Sequence, residues 1–162
     1  MYKQIGILTG GGDAPGLNAV IRAVVRTAIG EYGMSCVGIE DSFEGVLSET
    51  HTVKLTTKSV SGILPRGGTI LGTRNRNSFA KIVNGRACFP EMPISEALAN
   101  LDILGIEALI VLGGEGTLGI AEQFHKAGFP VIGVPKTIDN DLAATELTFG
   151  FMTAIDIATE AL

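Results

Sequence analysis

The chain has few of the residues on which many hydrolases and metal sites depend. It contains two cysteines, Cys36 and Cys88, without a CxxC spacing, and two histidines, His51 and His125. Neither histidine has a serine or cysteine partner in its own segment, and there is no GxSxG motif, so a hydrolase-type nucleophile–base pair is not indicated. Ligand spacings for zinc are missing too. We expect both histidines at the surface, and both thiols to be core or surface residues with no catalytic role.

Long apolar runs and an excess of positive charge are also missing. No apolar run approaches the ~20 residues that cross a bilayer, and Met1 to Gln4 lead straight into a strand pattern, so we expect neither a membrane partner nor a signal peptide. The net charge of -5 argues against a nucleic-acid partner. The scarcity of cysteine fits a reduced compartment, and we expect a cytoplasmic protein.

Apolar residues and glycine are plentiful. The chain of 162 residues is 46% hydrophobic and 18% charged, which is typical of one globular domain with a substantial core. Its 22 glycines fall in loops and at the ends of apolar runs, where glycine permits positive φ and close approach of the backbone.

Short apolar runs alternate with segments of helical periodicity. Buried strands are predicted at 5–9, 35–40, 108–112 and 131–134, and helices at 17–31, 94–104, 118–126 and 148–162. Weaker signals predict a strand at 53–55, a short helix at 56–63 capped by Thr56 or Thr57, and a hairpin around Asn84-Gly85. The alternation predicts a doubly wound, mostly parallel α/β sheet with helices on both faces.

Two glycine-rich turns follow predicted strands, at Gly10–Gly16 and Gly113–Thr117. Such strand-to-helix turns bare backbone N–H groups and aim a helix N-terminus at a ligand, which suits phosphate. The first turn is not a P-loop, because no GKS or GKT follows, and Asp13 and Pro15 interrupt the GxGxxG spacing.

Charged side chains occupy two further loops. The segment 65–76 contains Arg66, Arg74 and Arg76, which either bind phosphate oxygens or form a solvated cationic loop. In Pro135–Asp141, two alternating carboxylates either serve as proton acceptor and metal ligand or cap a turn. Because loops that follow parallel strands meet at one edge of the sheet, amides, cations and carboxylates are predicted to converge there. Phosphoryl transfer requires this combination.

Four segments, in order, closely resemble the 6-phosphofructokinase family: Ile5–Arg22, Arg66–Gly72, Gly113–Leu118 and Pro135–Asp141. The resemblance implies a Rossmann-like N-terminal nucleotide-binding domain at 1–162, with a substrate-binding C-terminal portion absent. It implies Mg²⁺-dependent transfer of the ATP γ-phosphoryl group to the C1 hydroxyl of fructose 6-phosphate, giving fructose 1,6-bisphosphate in glycolysis. It also implies a homodimer or homotetramer at full length. The segment alone is expected to be poorly active and to expose an apolar edge after Thr148.

The resemblance also assigns residues. Asp139 matches the general base, with Thr137 and Lys136 beside it, and Thr137, Ile138 and Asp139 match substrate contacts. Asp141 and Glu115 match the metal side, and many family members carry Asp in place of Glu115. Nucleotide and phosphate contacts are implied for Gly11, Gly12, Arg76, Asn77, Gly114, Glu115, Gly116 and Thr117.

Two positions bear on the phosphoryl donor. Family members that use pyrophosphate usually carry Asp at the position of Gly116, where it crowds and repels the α-phosphate and nucleoside; glycine leaves that space open. Lys136 instead resembles the pyrophosphate type. We give Gly116 more weight and expect ATP, with pyrophosphate as the alternative. Arg22 and Arg26, four residues apart, either resemble effector-site arginines of an allosteric enzyme or form a solvated helix face.

Rival classes explain less of the sequence. A non-catalytic nucleotide-binding module would retain the glycine turns, and a Rossmann oxidoreductase would bind NAD but requires the missing GxGxxG. NAD kinases and diacylglycerol kinases have a similar glycine loop, yet they account for Gly113–Thr117 alone among the four motifs.

Overall fold

The structure is a computed structural model that describes residues 2–47, 51–74, 78–143 and 145–162, with Arg86 described by its backbone only. Eight strands form within these ranges: β1 Gln4–Thr9, β2 Ser35–Ile39, β3 Thr52–Leu55, β4 Lys81–Val83, β5 Arg86–Cys88, β6 Ala108–Gly113, β7 Val131–Thr137 and β8 Phe149–Gly150. The α-helices of the same ranges are α1 Leu17–Gly30, α2 Glu91–Ile103, α3 Glu115–Lys126 and α4 Phe151–Ala161, and a 3₁₀ helix spans Ser42–Leu47.

Six of these strands form one sheet in the order β3-β2-β1-β6-β7-β8. All neighbours are parallel except β3, which runs antiparallel to β2 at the edge. β4 and β5 pair as a separate hairpin whose turn residues, Asn84 and Gly85, have φ of 51° and 75°. The predicted α/β fold and the predicted hairpin are therefore confirmed.

Helices and apolar loops cover both faces of the sheet. On one face α1 packs with a segment that includes Val60, Ile63 and Leu71. On the other face α2, α3 and the 3₁₀ helix enclose Phe43, Phe79 and Phe124, whose ring centroids lie 5.2–6.0 Å apart. α4 buries none of its residues. None of the helices in the described ranges combines the length and apolar character that a membrane crossing requires.

The connections reverse direction between β1 and β6. From β1 the chain moves outward to β2 and β3, whereas from β6 it moves the other way to β7 and β8. Thr9 lies beside Leu112 in the register, so the turns that follow both strands begin side by side and diverge. In open α/β sheets this reversal creates the crevice in which ligands bind.

Several predicted element boundaries are wrong. α3 begins at Glu115 and not at 118, α2 begins at Glu91 and not at 94, and β7 continues through Thr137, so the predicted loop begins only after that residue. The last helix begins at Phe151, because two residues before it pair with β7 as β8.

The helix predicted at 56–63 does not form. Thr56 does cap the backbone, since its Oγ1 accepts the Ser59 N–H at 3.1 Å, but the segment continues as turns. Gly62 has φ of 74°, in the left-handed region that a right-handed helix excludes. The turns bury Val60 and Ile63 in the core against the sheet, so no helix is needed to bury these two side chains.

Candidate functional site

A cavity of about 640 Å³ lies at the carboxyl edge of the sheet, where β1, β6 and β7 end. Its lining combines the β1–α1 turn, the first turn of α3, the end of β7 with the turn that follows, Arg74, and the β4–β5 hairpin with its flanks. The structure thus brings together most of the residues that the sequence singled out, namely Gly11, Gly12, Gly114, Glu115, Gly116, Thr117, Lys136, Thr137, Ile138 and Asp139.

The first turn of α3 faces this cavity. Gly114 is the N-cap of α3. The first hydrogen bond of the helix is donated by the Leu118 N–H to the Gly114 carbonyl at 2.9 Å. The N–H groups of Glu115, Gly116 and Thr117 therefore have no acceptor within the helix. Together with the positive end of the helix dipole, they suit an anionic ligand such as phosphate.

Thr117 explains why glycine stands directly after β1, at Gly10, and at the end of β6, at Gly113. Its side chain is 8% exposed and lies between the ends of β1 and β6. A Cβ at Gly10 would come within 2.7 Å of the Thr117 side chain, and a Cβ at Gly113 would also clash with it. Glycine at both positions lets α3 approach the switch point closely.

The β1–α1 turn reaches the cavity by its own backbone. Gly11 has φ of 79°, and Gly11, Gly12 and Asp13 line the cavity. α1 begins only at Leu17, and its first residues are not in the lining. The prediction that this helix aims its N-terminus at the ligand is therefore wrong, since three residues separate Gly12 from the N-cap Gly16.

Lys136 joins the end of β7 to this turn. It is 4% exposed, and its Nζ donates a hydrogen bond to the Gly12 carbonyl. Burial lowers the pKa of Lys136, while the nearby Asp13 carboxylate acts in the opposite direction. The ammonium group is thus engaged by the protein at the wall of the cavity. Sequence reasoning missed Asp13, because a single acidic residue within a glycine turn gives no local signal of its distant partner.

The turn after β7 is held by side chains. Thr137 Oγ1 accepts the Asp139 N–H at 3.1 Å and donates to Asp141 Oδ1 at 3.2 Å. Asp139 lines the cavity, whereas Asp141 lies outside the lining. The residue predicted as base is therefore at the cavity, and the Asp141 carboxylate is bonded to Thr137.

Asn140 and Thr148, which sequence reasoning did not select, fix the shape of the same turn. Asn140 has φ of 52°, and its Oδ1 accepts the Thr148 N–H at 2.9 Å. Thr148, 4% exposed, donates its hydroxyl to the Thr137 carbonyl at 2.9 Å. An asparagine in a turn after a strand is the signal that could have identified this pair.

One wall of the cavity is apolar. It consists of Ala80, Ile82, Ala87 and Phe89, on and beside the β4–β5 hairpin. Ile82 is 74% exposed although it is a large apolar residue. The sequence predicted the hairpin but assigned it no function, because its relation to the glycine turns arises only in the folded chain.

The cationic loop supplies Arg74 to the lining, where its Nη2 lies 3.1 Å from Asp41 Oδ2. Arg76 and Asn77 lie outside the described residues. Arg66 does not line this cavity. Arg22 and Arg26 lie on α1, also away from it, and the effector-site hypothesis stays a prediction.

The remaining titratable residues behave largely as expected. His125 is exposed, and His51 is half-buried with its Nδ1 3.5 Å from Asp41 Oδ2. Cys36 is buried, which raises the pKa of its thiol to about 11, and Cys88 is exposed. Neither cysteine lines the cavity.

The carboxylates fit a magnesium ion that arrives with phosphate. Asp13, Glu115 and Asp139 line the cavity, but no three His, Cys, Asp or Glu side chains of the described part of the chain cluster tightly enough to hold a metal by themselves. Mg²⁺ typically retains waters and binds through one or two carboxylates plus substrate phosphates. A rim with separated carboxylates matches that requirement.

The fold and the cavity define a doubly wound α/β domain with a candidate ligand site at its switch point. The family model for phosphofructokinase matches residues 4–162, so the chain belongs to the phosphofructokinase family. The resemblance noted from the sequence is confirmed.

Curated relatives include both donor types. Over 160 residues the chain is 52% identical to the ATP-dependent 6-phosphofructokinase of Chloroflexus aurantiacus, covering 99% of this chain and 44% of that protein. It is 53% identical over 160 residues to the pyrophosphate–fructose 6-phosphate 1-phosphotransferase of Streptomyces coelicolor, covering 98% and 44%. The chain thus spans less than half the length of these relatives.

A solved structure supports the same family. The phosphofructokinase of Saccharomyces cerevisiae superimposes with a TM-score of 0.86 at 30% identity, covering 99% of this chain and 23% of that one. A pyrophosphate-dependent phosphofructokinase from Marinobacter aquaeolei shares the fold, with a TM-score of 0.74 at 21% identity.

Proposed function

We propose that this chain is the donor-binding part of a 6-phosphofructokinase, which transfers the γ-phosphoryl group of ATP to the C1 hydroxyl of fructose 6-phosphate. The observation that carries the proposal is the convergence of the two glycine turns, Lys136 and Asp139 on one cavity at the switch point. Amides suited to an anion and the Asp139 carboxylate thus belong to one cavity lining. Phosphoryl transfer is governed by positioning and charge neutralisation, which such an arrangement provides.

Each group has a role in this reaction. The amides of the α3 first turn and of Gly12 hold phosphate oxygens, while the Gly11 N–H is directed to the Arg74 carbonyl. Lys136 keeps the Gly12 turn in place through its hydrogen bond. Asp139 accepts the proton of the attacking hydroxyl, with its backbone held by Thr137. Glu115 would hold Mg²⁺ together with the donor phosphates, and the ion would supply neutralisation of the charge on the transferred group.

Two features of the cavity support ATP as the donor. Gly116 lines it, and a Cβ built there would have no heavy atom within 4 Å, so the space beside it is open. The apolar wall of Ile82 and Phe89 suits a nucleobase, for which pyrophosphate has no counterpart.

Pyrophosphate remains the second candidate donor. A relative at 53% identity carries that name, and Lys136 resembles the pyrophosphate type. The surroundings of Lys136 argue against pyrophosphate. The Lys136 ammonium is buried and bonded to the Gly12 carbonyl, which reduces its availability to a phosphate group.

The acceptor side calls for more than these residues. Because the relatives are more than twice as long, we propose that residues 1–162 form the nucleotide-binding domain and that fructose 6-phosphate is held mainly by the remainder of such a protein. Assembly into homodimers or homotetramers belongs to the same proposal.

Labelled-phosphate transfer tests the function. The chain is assayed alone and fused to the C-terminal portion of the Chloroflexus aurantiacus relative, with [γ-³²P]ATP or labelled pyrophosphate and fructose 6-phosphate. We expect the fusion to transfer label from ATP, and Asp139→Ala to lower transfer by about 10²–10⁴-fold while ATP still binds. Thr145→Ala, outside the cavity lining, is the matched control. A folded fusion that binds ATP but transfers no label, or an Asp139→Ala variant as active as the parent, would contradict the proposal.

A further inference from the structure

The segment 66–74 has neither helix nor strand structure, yet it delivers Arg74 to the cavity. An irregular segment has no ladder of its own to hold its backbone groups, so its position depends on hydrogen bonds to neighbouring elements. In this segment those bonds run to β1, to the turn after it, to α1 and to Asp41, whose N–H donates to the Leu71 carbonyl at 3.0 Å and whose carboxylate accepts from Arg74.

Asn18 makes the largest set of these bonds. It lies in the first turn of α1 and is 2% exposed. Its Nδ2 donates to the Arg66 carbonyl at 3.1 Å and to the Gly67 carbonyl at 3.3 Å. Its Oδ1 accepts the Ile70 N–H at 2.8 Å. Only an amide side chain of this length both donates to carbonyls and accepts from an N–H at one point.

Further bonds continue from this anchor to the cavity. Thr9 Oγ1 contacts the Thr69 hydroxyl at 2.9 Å and donates to the Gly72 carbonyl at 2.7 Å. Thr73 donates its hydroxyl to the Gly11 carbonyl, and the Gly11 N–H lies 3.4 Å from the Arg74 carbonyl. The phosphate-binding turn and the arginine that faces it therefore share backbone contacts.

We propose that Asn18 is a positioning residue of the donor site, which sets the path of residues 66–74 and thereby the placement of Arg74 beside the glycine turn. The effect on donor binding rests on the proposed function; the effect on the segment itself does not. Asn18 does not line the cavity, so it acts through the backbone that it anchors.

Two substitutions separate its donor and acceptor roles. Asn18→Asp retains an acceptor for the Ile70 N–H but replaces the donor to Arg66 and Gly67 with an oxygen that repels their carbonyls. Asn18→Leu removes both roles at similar volume. Asn100→Leu is the matched control, because Asn100 also lies on a helix and its Nδ2 donates to a backbone carbonyl, that of Val46, at 2.9 Å.

Hydrogen exchange of the ligand-free chain is the first readout. We expect the Ile70 amide to exchange at least about tenfold faster in Asn18→Leu and to keep its protection in Asn18→Asp. The Gly72 N–H, which donates to the Thr69 carbonyl, and the Gly11 N–H, which donates to the Arg74 carbonyl, should exchange faster in both variants, and none of these amides should change in Asn100→Leu. Unchanged exchange at 70 in Asn18→Leu, or at 11 and 72 in both Asn18 variants, would overturn the proposal.

Calorimetric titration with Mg²⁺ and ATP is the second readout. We expect both Asn18 variants to bind ATP about tenfold more weakly, while Asn100→Leu binds within about twofold of wild type even if its Tm falls. If Asn18→Leu does not fold, Asn18→Asp decides. Normal ATP affinity in folded Asn18 variants with faster exchange at 11 and 72 would overturn the positioning role. A wild-type chain that binds no ATP would instead refute the proposed function, and hydrogen exchange would then decide the placement alone.

Discussion

Gly116→Asp is the substitution that most directly tests ATP as the donor. Gly116 lies in the first turn of α3 and lines the cavity, and a Cβ there would meet no heavy atom within 4 Å. Removing glycine from a helix gains up to ~1 kcal/mol, and an acidic residue near a helix N-terminus gains about 0.3–1 kcal/mol. We therefore expect the variant to be at least as stable as wild type, so that any loss of binding reports on the donor site.

The size of the expected loss of ATP affinity follows from charge repulsion. A carboxylate about 6 Å from a phosphate, at an effective dielectric of about 20–40, interacts unfavourably by roughly 1.5–3 kcal/mol. Position 116 is exposed, so salt reduces this value, and we take the lower part of the range at physiological ionic strength. ATP should therefore bind about 10- to 30-fold more weakly, with a smaller loss for pyrophosphate, which does not extend toward Gly116 as a nucleotide does.

The assay is calorimetric titration of wild type, Gly116→Asp and Gly116→Ala with ATP and with pyrophosphate, each with Mg²⁺, at two salt concentrations. Gly116→Ala adds the Cβ without the charge and should bind ATP within about threefold of wild type. ATP affinity in a folded Gly116→Asp variant equal to that of wild type would refute the reasoning. An equal loss in Gly116→Ala would refute its electrostatic part, because the methyl group alone would then account for the effect.

Two further predictions concern titratable groups. Because burial lowers the folded-state pKa of Lys136 below its unfolded value, the unfolded chain binds more protons between those two values, and stability rises with pH across that interval. The free energy of unfolding, measured by urea denaturation, should therefore increase between pH 7 and 10, and it should increase less in Lys136→Met. A steeper increase in the variant would contradict the lowered pKa of Lys136. Since Cys36 is buried with a pKa of about 11 and Cys88 is exposed, a thiol reagent at neutral pH should label Cys88 in the native chain and both after denaturation. Native labelling of Cys36 in a Cys88→Ser variant would count against this burial, with Cys36→Ser as the control.

The fold could be predicted because its signals are local. β1 and β6 are apolar runs that the structure buries, and α1 carries a clear helical period, so the alternation of strands and helices specifies a parallel sheet. The prediction that 131–134 is a buried strand is wrong in its burial, since these residues of β7 are half-buried or exposed and Ile132 is 62% exposed. Once the strands are parallel, the turns after β1, β6 and β7 must meet at one edge. The convergence of Gly11, Gly114 and Asp139 therefore follows from topology before any coordinate is known.

The boundaries could not be predicted where glycine is involved. Gly114, Glu115 and Gly116 form a poor helix start by intrinsic propensity, which placed the predicted start of α3 at 118. In the structure Thr117 packs between the ends of β1 and β6, and this tertiary contact accompanies a helix that begins three residues earlier. The difference has a functional consequence, because it converts a glycine loop into a helix N-terminus with unpaired amides.

The supporting residues of the site escape sequence reasoning for a different reason, which is distance along the chain. Lys136 bonds to the turn at Gly12 and Asn18 to the segment at Arg66 across 124 and 48 residues, and no local pattern pairs them. Glycine turns show where a ligand fits, but they supply little rigidity of their own. The buried lysine, asparagine and threonines supply it through hydrogen bonds to backbone carbonyls. The groups proposed to contact phosphate thus differ from the side chains that hold them, although Asn18 and Lys136 lie within the motif segments, and a loss of function on changing such a side chain would not identify it as a ligand of the phosphate.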